Sequence, residues 1–113
     1  MIVEERLYTI QMGRLHEFLA FYAEHGLAVQ LRHLGRMYGY FYTEVGRLNQ
    51  VTHSWAYRDL AERESRRASL DADPLWLAYR GKAGAYLVDQ TTRILKPAPF
   101  FAPRLEAMFP ADA

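Results

Sequence analysis

The chain contains no cysteine, which excludes disulfides and thiolate metal sites. It has no apolar run approaching the ~20 residues needed to span a bilayer. The N-terminus lacks the basic segment and apolar core of a signal peptide. A soluble, cytoplasmic protein without membrane insertion is the expectation. Charge of one sign is also scarce: 14 Lys and Arg against 13 Asp and Glu give a net charge of +1. The basic residues are dispersed, which argues against nucleic acid as a partner, since that needs a concentrated basic face. There is no Gly-rich phosphate loop. His16, His25, His33 and His53 have no three-ligand metal spacing. No Ser-His-Asp arrangement emerges from residue order. No cofactor and no metal are therefore expected. Linkers, low-complexity stretches and short repeats are also missing.

What the chain does have is apolar and aromatic residues, half of its 113 positions. One domain, 1–113, is expected, with a core over about 2–101 and a Pro-rich tail over about 96–113. Residues 2–10 read as a strand with Glu4, Arg6 and Tyr8 on one face. Residues 14–34 read as a helix, with Gly26 bending or interrupting it and Gly35 ending it. Arg36 to Glu44 reads as a second strand, with Met37, Gly39 and Phe41 on one face and Tyr38, Tyr40 and Tyr42 on the other. Leu48 to Tyr57 reads as a third. Residues 58–70 read as a charged helix, and Asp73 caps a further helix that starts at Pro74 and runs to about Ala83. Residues 86–95 read as the last strand. The tail KPAPFFAP cannot continue a central strand, because proline lacks the amide donor. The fold class is α+β, the ferredoxin-like split β-α-β-β-α-β order with an antiparallel four-stranded sheet. Helices are expected on one sheet face only. The other face is expected to meet a second copy, giving a homodimer.

The densest chemistry lies in FYTEVGRLNQVTHSWAY, Phe41 to Tyr57. Gly46 and Asn49 bracket a turn. After it, period-two alternation puts Asn49, Val51, His53, Trp55 and Tyr57 on one face. This is either a packed core face or the wall of a polar pocket. Imidazole titrates near neutrality, so His53 is the candidate acid or base. Glu4 and Arg6, two apart, can pair or share a ligand. First and third strands are neighbours in the split order, so Glu4, Arg6 and Tyr8 can lie beside His53 and Trp55. Arg63, Arg66 and Arg67 read as a solvated face laced with Glu62 and Glu64, with an anion site as the alternative. Trp76 and Tyr79 read as core or pocket lid.

The same stretch, with Phe41, Thr43, Glu44, Gly46, Leu48, Asn49, Val51, His53, Trp55 and Tyr57, closely resembles the NIPSNAP family. So do Glu4-x-Arg6-x-Tyr8, His25-Gly26, His33-Leu34-Gly35, the run Arg63 to Leu70 with Asp73-Pro74 and Trp76, and Ile94-Leu95 with Pro97 and Pro99-Phe100. The resemblance covers roughly residues 4 to 101 and is specific as a compound pattern. It implies a dimeric ferredoxin-like α/β barrel and no settled reaction. Met12 and Arg47 stand where the family commonly has proline, which implies altered turn rigidity.

Three readings follow. In the first, each protomer holds a small-molecule pocket, as a binding protein or a cofactor-independent enzyme acting on an aromatic or carbonyl-bearing metabolite. His53, Tyr57 and Glu4 are then the candidate catalytic residues. Arg6, Tyr8, Asn49, Trp55 and Trp76 are the candidate substrate contacts. In the second, the protein is a non-catalytic homodimeric scaffold, a role suggested by the family's eukaryotic members, which are linked with trafficking and mitochondrial quality control. In the third, the polar strand residues only specify packing.

Overall fold

The structure, a computed structural model, describes residues 1–110. Strand β1 (Ile2–Ile10) is followed by helices α1 (Leu15–His25) and α2 (Leu27–Leu34). Next come β2 (Arg36–Tyr42), β3 (Gln50–Tyr57), α3 (Leu60–Asp71), α4 (Pro74–Ala83), β4 (Leu87–Leu95) and α5 (Ala102–Met108). The sheet is antiparallel in the order β2-β3-β1-β4. This is the expected α+β, ferredoxin-like arrangement.

Local chemistry explains the boundaries. Gly26 divides the long helix in two, its amide donating to Tyr22 O at 2.8 Å. Glycine is needed there for space: a Cβ would stand 2.8 Å from Tyr22 Cδ1 and 2.9 Å from Tyr79 Cε1. Gly35 ends α2 with φ 84°, a left-handed conformation that favours glycine. Asp59 caps α3, accepting from the Glu62 amide at 2.8 Å, and Asp73 caps α4, accepting from the Leu75 amide at 2.9 Å. Asp73 also takes Arg32 Nη2 at 2.6 Å and lies 2.8 Å from His33 Nε2, tying α2 to α4.

Register places the sequence faces. Glu4 lies opposite Trp55, Arg6 opposite His53 and Tyr8 opposite Val51. That shared face turns toward α1–α4. Trp55, Tyr57, Leu34, Leu70, Trp76 and Tyr79 pack there in one cluster, and Ile10, Phe18, Val51 and Tyr86 in another.

Four expectations need correction. Met37 sits with Tyr40 on the helix-covered face, not with Phe41, because the β2–β3 register shifts between Met37 and Gly39; an extra residue in a strand reverses the alternation. Asn49 is not a strand residue; it precedes β3 with φ 64° in the turn. The tail is not only irregular. Its prolines bar a strand, but the first turn of a helix tolerates one, and α5 forms with Pro103 in its first turn. Leu105 of α5 is fully buried against Val3 and Ala56, so helices are not confined to one sheet face.

Candidate functional site: a donor-lined cavity between sheet and helices

His53 anchors the site. It is 1% exposed. Trp55 Nε1–H donates to His53 Nδ1 at 2.8 Å, so the ring proton belongs on Nε2. The imidazole stacks on Tyr40 (centroids 4.7 Å, 17°), and Tyr40 in turn stacks on Tyr22 (4.7 Å, 23°). Tyr8 meets the imidazole edge-on at 4.8 Å. Burial lowers the His53 pKa, helped by the positive charges of Arg6 and Arg67, down to about 3. His53 is thus a neutral, oriented hydrogen-bond donor at physiological pH. Its Nε2 has no hydrogen-bond partner among the described residues.

A cavity of about 300 Å³ opens beside it, with Arg6, Tyr8, Tyr22, Tyr40, Arg67 and Trp76 in its wall. Gln30 also contributes and is nearly fully buried; Tyr22 Oη donates to its Oε1 at 2.6 Å. Exposed Arg80 and Gln90 stand at the rim. Burial pushes the hydroxyl pKa values of Tyr22, Tyr40 and Tyr79 up, so these phenols stay protonated.

Next to the cavity lies a buried charge network. Glu4 is fully buried. Arg63 clamps its Oε2 with Nε at 2.9 Å and Nη2 at 2.7 Å. Arg6 Nη1 adds a contact at 3.3 Å, and Tyr57 Oη donates to Oε1 at 3.3 Å. Arg67 Nη1 stands 3.6 Å from Oε1, beyond hydrogen-bond reach. Three guanidinium groups thus share one carboxylate.

Of the residues singled out from sequence, Arg6, Tyr8, His53, Arg67, Trp76 and Tyr79 line one cavity. Glu4 and Tyr57 lie outside its wall, in the arginine network. Trp55 is fully buried and orients His53. Asn49 lies in a separate groove with His16, Tyr42 and Leu48. Arg63 and Arg67 do not form a solvated face: both turn inward to Glu4, while Arg66 reaches His33 O at 3.1 Å. Their i,i+4 spacing, which puts them on one side of α3, was the available signal. Tyr22, Gln30 and Tyr40 were missed as site residues. Among the described residues no three His, Cys, Asp or Glu side chains gather to hold a metal, and no helix is long and apolar enough to cross a membrane.

The comparisons agree with this architecture. A NIPSNAP family protein from Agrobacterium tumefaciens is 40% identical over 88% of this chain and 94% of its own, with a TM-score of 0.85. An uncharacterised NIPSNAP-like domain protein from Burkholderia xenovorans is 45% identical over 88% of this chain and 86% of its own, with a TM-score of 0.84. An antibiotic biosynthesis monooxygenase shares only the fold, at 15% identity over 88% of this chain and all (100%) of its own, and a TM-score of 0.61. No curated protein matches. A model of the NIPSNAP family matches residues 3–102, and the chain belongs to that family.

Proposed function

We propose that this protein, a single NIPSNAP-like domain acting as a homodimer, binds a small aromatic or carbonyl-bearing metabolite in the cavity of each protomer. It does so as a binding protein or as an enzyme that needs no cofactor. The observation that carries this reading is His53: a buried, neutral imidazole, oriented from both sides, whose Nε2–H is unpartnered on a cavity-lining residue. A native interior rarely leaves such a donor unmet without a reason. In this reading His53 donates to a carbonyl or related oxygen, and Arg6 holds an anionic group. Tyr8 and Trp76 supply aromatic contact. Glu4 and Tyr57 act at one remove by holding the arginines. The homodimer draws support from the sheet face opposite α1–α4, where Phe41 is 69% exposed. A scaffold reading draws on Val45 and Leu48, also exposed beside the β2–β3 turn.

Native mass spectrometry of the protein purified from its own host tests the proposal. A dimer carrying a small adduct is the expected result, and the adduct mass gives the ligand class. A clean dimer that also fails to bind small aromatic acids favours the scaffold. A stable monomer removes the barrel.

A further inference from the structure

The cavity wall is one-sided in its hydrogen bonding. Three of its residues carry a buried donor with no hydrogen-bond partner among the described residues: His53 Nε2, Trp76 Nε1 and Arg67 Nη1, the last in an ion pair with Glu4 Oε1 at 3.6 Å. Several nearby acceptors are already engaged. Gln30 Oε1 takes the Tyr22 hydroxyl, His53 Nδ1 takes Trp55, and Glu4 is held by Arg63 and Arg6. The formal charges lean the same way. Arg6, Arg67 and Arg80 line the cavity and no Asp or Glu does, although from behind the wall Glu4 faces Arg6 at 3.3 Å and Arg67 at 3.6 Å, and Asp71 faces Arg80 at 3.3 Å. The remaining wall is largely aromatic. A volume of about 300 Å³ suits one small conjugated ring system, at the lower end of small-molecule sites.

We infer that the cavity selects the ionised form of a small conjugated weak acid, a phenol or an enolisable ketone, seating its oxyanion against the donors of His53, Arg67 and Trp76. This rests on the small-molecule reading above and narrows it. Fixed donors and guanidinium charges in an aromatic-walled cavity favour a delocalised oxyanion over its neutral acid. Such a site lowers the pKa of what it binds, and no base in the wall is needed, because the proton leaves to solvent.

The test is a titration of the intact protein with 4-nitrophenol, followed by nitrophenolate absorbance across about pH 5 to 9. In that window His53 is neutral, its pKa lying near 3, and burial keeps Tyr22, Tyr40 and Tyr79 protonated. Affinity changes then report on the probe. The expected result is a bound pKa at least about one unit below the free value, a tenfold preference for phenolate. Arg67→Gln should abolish most of that preference, and the conservative Trp76→Phe should cut it about threefold. Arg104→Gln, which removes the same charge from an exposed site on α5, should leave it intact. A probe that binds with an unshifted or raised pKa overturns the selection and leaves the small-molecule reading standing. No binding of either form at millimolar probe overturns both. Equal losses in Arg104→Gln and Arg67→Gln would mean net charge alone is at work, which also overturns the assignment.

Discussion

Glu4 and Glu5 are chain neighbours on opposite faces of β1, and both pair with arginine. Glu5 meets Arg93 Nε at 2.7 Å, with the arginine side chain 68% exposed. Glu4 meets Arg63 Nη2 at the same 2.7 Å, but its own side chain is wholly buried. Equal distances carry opposite consequences. Water and salt screen the Glu5 pair, so it stabilises the fold little. The Glu4 carboxylate was taken out of water at a cost that three guanidinium groups and the Tyr57 hydroxyl together offset. Length alone says nothing about an ion pair's worth; burial decides. The comparison also suggests why the costly pair is kept. Glu4 balances the charge of Arg6 and Arg67, two of the arginines that line the cavity.

The contrast can be broken most severely at Glu4. Glu4→Gln leaves Arg63, Arg6 and Arg67 without their counter-charge and should destabilise the protein by about 3–5 kcal/mol, read as a lower urea midpoint. If Glu4→Gln unfolds no earlier than the parent, the network is not holding the fold.

The second test turns to pH. The folded pKa of His53 lies near 3, below the ordinary 6.5. Between those values the unfolded chain binds the extra proton and the folded chain does not. Stability therefore rises with pH across that window and is complete above 6.5. Falling pH should cost up to about 1.4 kcal/mol per unit from this group. Urea midpoints at several acid pH values, for the parent and for His53→Gln, check the sign: the variant should lose part of the slope. The smallest effect belongs to Glu5→Gln, which should stay within about 0.5 kcal/mol and shrink further in high salt. A loss as large as that at Glu4 would show that the second sheet face is also buried, as a dimer partner would bury it.

Much of this was legible in the chain. Alternation and strand order allowed Glu4, Arg6 and Tyr8 to lie beside His53 and Trp55, because a face is a local property and the split order fixes strand neighbours; the register that aligns them is not local. Which side of the sheet that face meets is not local. It depends on helices packing over it, and Tyr22, Gln30 and Arg67 reach the site only through that packing. Met37 was misplaced because one inserted residue in β2 has no distinct sequence signature. The pairing of Arg63 with Glu4 spans 59 positions, so α3 read locally as a solvated charged helix. Helix α5 was missed because prolines that rule out a strand are silent about a helix beginning around them.

The notch at Gly26 works as a caliper. Two ring edges, one from Tyr22 and one from Tyr79, already occupy the place where a methyl group at Gly26 would go. Both rings also line the cavity. Any side chain added there must either drive those rings into the cavity or spread α1 and α4 apart. The girth of the cavity and the path of the longest helical segment are thus a single variable, set by one absent carbon.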